Sequence, residues 1–216
     1  MKILVTDDHA VVRQGYASLL SVLLAPCEVV EAASGEDACS RYQLEQPDMV
    51  IMDINLPGIS GIEAANRILQ RDAQARILCF SMYDELPMVQ QALDTGVSGY
   101  ITKSSSPQVL IDAVRKVAAG QQYIEHELAT RLATARQRQP DTDQRLQEMT
   151  QREFEVFVML ARGLSVKAVA EQLSISAKTV SNYTTMLKNK LQVDSTTEMV
   201  HLAIEAGVIK VSPGRS

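Results

Sequence analysis

The sequence predicts an α/β fold class, a doubly wound five-stranded parallel sheet, followed by a small all-α unit. Three observations predict it. Over roughly the first 120 residues, short Val- and Ile-rich runs alternate with helical stripes. Those runs do not alternate apolar with polar, as befits strands buried on both faces of a parallel sheet. The strand-like runs stop at about Gly120, and from Thr150 onward apolar residues recur at helical spacing. The 216 residues suit one or two domains.

The strands are expected at 2–6 (KILVT), 28–32 (EVVEA), 49–52 (MVIM), 76–80 (RILCF) and 99–102 (GYIT). Between them, Val12, Tyr16, Leu19 and Leu23 share a helical face, as do Leu86, Val89 and Leu93, and then Leu110, Ala113, Val114 and Val117. The last of these helices opens with Ser106-Pro107, a cap residue followed by the proline that suits a first helical turn. From Gly120 to about Glu148 no further strand is expected. HELATRLATARQ can form one helix, and ARQRQPDTDQRLQ, polar and proline-containing, reads as a linker. The predicted organisation is therefore a first domain at 1–120, a partly helical linker at 121–147 and a four-helix domain at 148–211.

In that last domain Thr150 and Glu153 fit a capping box. Phe154, Phe157, Val158 and Ala161 then share a face, and Gly163 can end the helix. A short helix follows at about 166–173, a turn at Ser174-Ile175-Ser176, a longer helix at about 177–191, and a second capping box at Ser195 and Glu198. Two short helices ahead of a longer third fit a helix-turn-helix.

Composition excludes several classes. At 46% hydrophobic and 22% charged residues the chain is neither disordered throughout nor collagen-like. No apolar run approaches the ~18 residues of a membrane span. The N-terminus reaches two aspartates by position 8, unlike a secretory signal, so a cytoplasmic location with no membrane partner is expected. Cys27, Cys39 and Cys79 form no C-x-x-C pair, and His9, His126 and His201 lie far apart, so no disulfide set or zinc site is expected. The net charge of −5 counts against nucleic-acid binding only until it is divided. Residues 1–125 carry nine Lys/Arg against sixteen Asp/Glu, whereas 148–216 carry eight against seven. The acidity belongs to the first domain.

Ligands of a parallel α/β sheet bind at the carboxyl ends of its strands. The first strand ends in Thr6-Asp7-Asp8, the third in Asp53, the fourth in Ser81 and the fifth in Thr102-Lys103. Parallel strands place all these ends on one edge. Three carboxylates there repel unless protonated or bound to a cation, and a hard divalent ion such as Mg²⁺ suits oxygen ligands. A carboxylate can also attack phosphorus, with a lysine and a hydroxyl holding the phosphoryl oxygens.

These pieces, VTDDH, MVIMD, the loop NLPGISG, FS and GYITK, together resemble the receiver domain of two-component response regulators, a flavodoxin-like fold, over about residues 1–120. The resemblance implies that Asp53 accepts a phosphoryl group from a partner histidine kinase or a small phosphodonor. It implies Mg²⁺ held by Asp8, Asp53 and the backbone carbonyl of Asn55, with Asp7 nearby. It assigns Ser81 and Lys103 to the phosphoryl group, and Tyr100 to the aromatic whose rotation follows a Ser81 shift. Where many receivers have proline directly after the lysine, this chain has Ser104-Ser105-Ser106-Pro107.

On the longer helix at about 177–191, Val180, Tyr183, Thr184, Leu187 and Leu191 cluster on one side. Lys178, Ser181, Asn182, Thr185, Lys188 and Asn189 fill an opposite, wholly polar arc without an acid. Amides can read adenine, and lysines can bind phosphates or guanine. TQREFEVFVMLARGLSVKAVAEQLSISAKTVSNYTTMLKNKL closely resembles the DNA-binding domain of the NarL/FixJ (LuxR-type) regulators, at T-x-R-E-x-E-V, A-x-G and I-S-x-K-T-V, over about residues 146–209. Lys178, Thr179, Ser181, Asn182, Thr185 and Lys188 are then the expected contacts to double-stranded DNA. Ser181, Tyr183 and Thr185 stand where the family often has Lys, His and Lys, which predicts fewer phosphate contacts. Val200, Ala203 and Ile204 resemble the family's contact between DNA-bound protomers, so a homodimer is expected when phosphorylated or DNA-bound.

Two other readings compete. An Mg²⁺-dependent phosphatase or phosphotransferase would need an additional acid near the nucleophile and a cap. Asp53-Ile54-Asn55 offers an amide there, and the sequence holds no cap insertion. A regulator that binds DNA constitutively would not need the full acidic set.

Overall fold

The computed structural model describes residues 1–138, 144–147, 149–173 and 175–209. They form two compact units, one of 1–84 with 88–133, the other of 85–87 with the chain from 134.

In the first unit the strands are β1 (Lys2–Thr6), β2 (Glu28–Ala32), β3 (Met49–Met52), β4 (Ile77–Ser81), β5 (Gly99–Thr102) and β6 (Tyr123–Ile124). They make one parallel sheet in the order β2-β1-β3-β4-β5-β6. The sheet thus has six strands, not five. The two-residue β6 lies in the segment read from sequence as strand-free, and it pairs Gly99 with Tyr123 and Tyr100 with Ile124. Two residues are too few for a periodic signal, so only the edge of β5 defines this strand.

The helices are α1 (Ala10–Leu23), α2 (Gly35–Glu45), α3 (Gly61–Arg71), α4 (Leu86–Asp94), α5 (Pro107–Ala118) and α6 (His126–Arg138). The apolar stripes alone do not delimit α2 and α3, but their caps do. Ser34 accepts a hydrogen bond from the Asp37 N–H, and Ser60 from the Glu63 N–H. Ile3, Val5, Met49, Ile51, Leu78, Phe80 and Ile101 form one core with Leu20 and with Leu110, Val114 and Val117 of α5. Strand residues of the other parity, such as Leu4, Val50, Met52, Cys79 and Tyr100, are equally buried and face the opposite side. That two-sided burial explains why the strands read as unbroken apolar runs.

The loop after β3 carries a tight constraint. The Gly61 N–H donates to the Ile54 carbonyl at 2.9 Å, and a Cβ on Gly61 would lie 1.8 Å from the Asp53 carbonyl oxygen. No side chain fits there without moving Asp53. Gly61→Ala is expected to cost about 1–3 kcal/mol, measured as a lower urea midpoint of the intact chain; an unchanged midpoint would contradict the close approach.

The second unit holds α7 (Gln144–Gln147), α8 (Gln151–Ala161), α9 (Val166–Gln172), α10 (Ala177–Leu191) and α11 (Thr196–Glu205). Thr150 and Glu153 form the full capping box. The expected second box is only half made: Ser195 accepts from the Glu198 N–H, but the Glu198 carboxylate accepts from the Asp194 N–H instead. Ser176 caps α10 through the Thr179 N–H, and the Ile175 N–H donates to the Ala170 carbonyl to close the α9–α10 turn. Ser174, the middle of the expected linker at 139–143, and residues 210–211 of the expected last domain lie outside the described residues. Phe154, Phe157, Val158, Val169, Leu173, Val180, Leu187, Leu191, Met199 and Ala203 are buried as the core of this unit.

Among the described residues no helix is long and apolar enough to cross a membrane.

Candidate functional site

Strand order builds the first site. The order reverses between β2-β1 and β1-β3, and a crevice opens at such a switch point beyond the strand ends. Thr6 is in register with Met52, so Asp7 and Asp53 follow on adjacent strands, and the Asp53 N–H donates to the Thr6 carbonyl at 2.9 Å. On the far side, Ser81 is in register with Thr102, and the Lys103 N–H donates to the Ser81 carbonyl at 2.7 Å. Sequence-distant residues thereby converge.

Asp7 and Asp53 are both nearly fully buried, and the Lys103 ammonium lies 2.6 Å from Oδ2 of each. The remaining oxygens accept backbone N–H groups, Asp7 Oδ1 from His9 at 2.8 Å and Asp53 Oδ1 from Asn55 at 3.1 Å. Burial pushes the Asp53 carboxyl above the usual carboxylate range, and the repulsion from Asp7 adds to it. Lys103 and the Asn55 N–H oppose the rise without cancelling it. Burial alone would lower the Lys103 ammonium, but Asp53 and Asp7 outweigh it and hold Lys103 above its ordinary value. One cation thus serves two buried anions.

Asp8 is half-buried beside them. Its Oδ1 is enclosed without a hydrogen-bond donor, although it lies 2.8 Å from His9 Nδ1. That contact is an ion pair only when the imidazole is protonated. Ligand atoms of Asp7, Asp8 and His9 lie within 4.8 Å of one another. A donor-poor carboxylate oxygen beside two buried carboxylates fits a hard divalent cation such as Mg²⁺. Asp7, Asp8, Asp53 and the Asn55 backbone carbonyl are the groups that could hold it.

Ser81 is fully buried, and its hydroxyl oxygen accepts the Tyr83 N–H at 3.2 Å. Tyr100 is also fully buried and donates its hydroxyl to the Tyr83 carbonyl at 2.8 Å. Both therefore hold the same Tyr83 backbone segment. Two contributors were not read from the sequence. Arg13 donates to the Asp7 carbonyl at 2.6 Å while pairing with Glu31 at 3.0 Å, and Gly61 lets α3 approach Asp53. A glycine closing the quoted NLPGISG loop was the available signal for the second. Arg13 carried none, since its contact with Asp7 is to a backbone atom.

The second site is the outer face of α10. Val180, Leu187 and Leu191 are buried and Tyr183 and Thr184 half-buried, as the helical arc requires. Lys178, Ser181, Asn182, Thr185 and Asn189 are exposed, whereas Thr179 and Lys188 are half-buried. The Lys188 ammonium reaches back to the Asp194 carbonyl at 3.2 Å, so part of its capacity holds the end of α10. The exposed face is not wholly polar, because Met186 borders the arc and is 51% exposed.

Behind that face, the quoted T-x-R-E-x-E-V residues hold helices together. Arg152 pairs with the fully buried Glu155 at 2.8 Å and donates to the Leu173 carbonyl at 2.9 Å, joining α8 to the end of α9. Lys190 of α10 pairs with Glu153 at 2.7 Å. Burial works against the Glu153 carboxylate, but Lys190 and the Thr150 N–H outweigh it and hold that group below its usual range. In α11, Ala203 is buried and Ile204 exposed, so Ala203 belongs to the core and Ile204 faces outward.

Comparison with known proteins gives matches to both halves. The response regulator receiver domain matches residues 3–115, and the bacterial regulatory proteins of the luxR family match residues 147–203. The chain is 52% identical to the transcriptional activator protein ExaE of Pseudomonas putida, over 98% of this chain and 100% of that protein. It is 32% identical to the response regulator UvrY of Escherichia coli K12, over 96% and 95%. Among solved structures, RcsB of Salmonella enterica serovar Typhimurium, bound to promoter rprA in the presence of the phosphomimetic BeF3−, superposes with a TM-score of 0.61 at 21% identity. That match covers 94% of this chain and 98% of the other, and shows the shared fold.

Proposed function

The chain belongs to the response regulators that join a receiver domain to a luxR-family DNA-binding domain, and from that membership we propose that it is a transcription factor switched by phosphoryl transfer to Asp53 from a partner histidine kinase. The single observation that supports this most is Lys103 bridging two buried carboxylates, Asp7 and Asp53, beside the donor-poor oxygen of Asp8.

In the proposed reaction an Asp53 carboxylate oxygen bonds to phosphorus as the bond to the kinase's histidine nitrogen breaks, and that nitrogen keeps the electron pair. Asp7, Asp8, Asp53 and the Asn55 carbonyl would hold Mg²⁺, which would supply positive charge against the phosphoryl oxygens. Lys103 turns from pairing two carboxylates to pairing the new anion. The Ser81 hydroxyl, on the adjoining strand end, donates to a phosphoryl oxygen. Because Ser81 and Tyr100 both hold the Tyr83 backbone segment, a shift of Ser81 is felt at Tyr100. The added charge biases a two-state receiver and changes its contacts with the linker or a second receiver. The chain catalyses only gain and loss of its own phosphoryl group, in the cytoplasm.

The DNA-binding domain then reads double-stranded DNA through α10, with Lys178, Thr179, Ser181, Asn182, Thr185 and Lys188 as contacts. Two protomers address half-sites about one turn apart. Pairing compensates for a domain with only one more cation than anions over residues 148–216. Acetyl phosphate with Mg²⁺ is expected to raise the affinity of the intact chain for DNA selected from a random pool; affinity indifferent to the phosphodonor would sink the switch.

Lys178 is exposed on the proposed contact face. Lys178→Glu is expected to weaken binding and to lower the log–log salt slope by about 0.9 per lost phosphate contact. The check is a salt titration of affinity, and an unchanged slope would argue against α10 as the recognition helix.

A further inference from the structure

We propose that Met186 is the apolar reader of the DNA-facing surface, seated against the C5-methyl group of a thymine in each half-site. This rests on α10 being the recognition helix.

Met186 is 51% exposed, a large apolar side chain left in water on an otherwise polar face. It stands one helical turn beyond Asn182 and directly after Thr185. The polar neighbours have already committed many of their protons. The Ser181 hydroxyl donates to the Ala177 carbonyl at 3.0 Å and the Thr185 hydroxyl to the Ser181 carbonyl at 3.1 Å. The hydroxyls of Ser176 and Thr179 pair with each other at 2.8 Å. Such back-bonded hydroxyls meet a base edge mainly as acceptors. The Lys188 ammonium is turned toward the Asp194 carbonyl. The face therefore offers donors at Lys178 and the amides of Asn182 and Asn189, and a broad apolar surface at Met186.

The major groove displays one apolar feature, the thymine methyl, and adenine is the base whose edge suits an amide. Residues four apart on a helix are separated by about 6 Å along its axis. Asn182 and Met186 project from the same side of α10 one turn apart and so address nearby base pairs, and the half-site is A·T-rich there, with adenine facing Asn182 and a thymine methyl facing Met186. An unbranched thioether can settle on that methyl without a fixed rotamer.

The test uses the intact chain treated with acetyl phosphate and Mg²⁺. DNA selected from a random pool is resynthesised with uracil replacing one thymine at a time, which keeps the pairing and removes only the methyl. At one thymine per half-site, the wild type is expected to lose about fourfold in affinity. Met186→Ala is expected to bind the thymine and uracil forms equally at that position, and Met186→Leu to retain the preference. Wild-type indifference to every replacement, or equal sensitivity in Met186→Ala, overturns the inference. Lys178→Glu is measured alongside. An unchanged affinity there overturns the recognition helix itself, and the inference with it. Weakened binding with uracil indifference overturns the Met186 contact alone.

Discussion

Asp53→Asn is expected to abolish the phosphoryl adduct that the wild-type chain acquires from acetyl phosphate and Mg²⁺, slowing uptake by at least on the order of a thousandfold. An amide oxygen carries no charge and is a poor nucleophile toward phosphorus. The substitution keeps the volume of a nearly fully buried side chain, so packing is retained. It also removes one of the two anions that Lys103 serves, which relieves repulsion between Asp7 and Asp53. The variant should therefore stay folded, and its far-UV circular dichroism separates a lost reaction from a lost fold. Intact mass is the readout. An adduct of wild-type yield in Asp53→Asn would move the acceptor to Asp7 or Asp8 and refute the assignment.

Arg152→Ala is expected to destabilise the second unit by about 1–3 kcal/mol. Glu155 is fully buried and its carboxylate faces the Arg152 guanidinium at 2.8 Å, while the same guanidinium binds the Leu173 carbonyl that ends α9. Removing the guanidinium takes a charge-assisted partner 2.8 Å away from a buried carboxylate and the donor 2.9 Å away from a helix-end carbonyl. Glu155→Gln in the Arg152→Ala background should recover a good part of the loss, because the remaining buried group is then neutral. Hydrogen exchange of the intact chain, followed at the amides of α8 and α10, measures this without cutting the protein. Protection unchanged in Arg152→Ala would show that the pair contributes nothing to holding these helices.

The candidate phosphoacceptor set was legible because of a property of parallel sheets. Once KILVT, MVIM, the run ending at Ser81 and GYIT are recognised as parallel strands, their C-terminal residues must share an edge. What that reasoning lacked was neighbour order. It placed Lys103 with the acids but not between them, and the bridge to both Asp7 and Asp53 follows from the β1-β3-β4-β5 adjacency. Gly61 was visible only as a loop glycine, since its importance is a backbone approach to Asp53. On α10 the helical period separated the buried from the exposed side correctly, yet it did not show that Lys188 is drawn to Asp194. The second capping box fits a local pattern at Ser195 and Glu198, but the Asp194 N–H competed successfully for the same carboxylate.

The sequence by itself determined the alternation of strands and helices, the bounds of β1, β2, β3, β5 and α10, the two families of motifs and the uneven division of charge. These are local or additive properties: a helical stripe, a cap or a charge count depends on residues a few positions apart. The tertiary structure alone decided the sixth strand, the carboxylate–lysine bridge, the burial of Glu155 against Arg152 and the exposure of Met186. Each of these depends on which element packs beside which. A strand of two residues exists only against the edge of β5, and a charge is costly or cheap only once its neighbours define how much water it keeps.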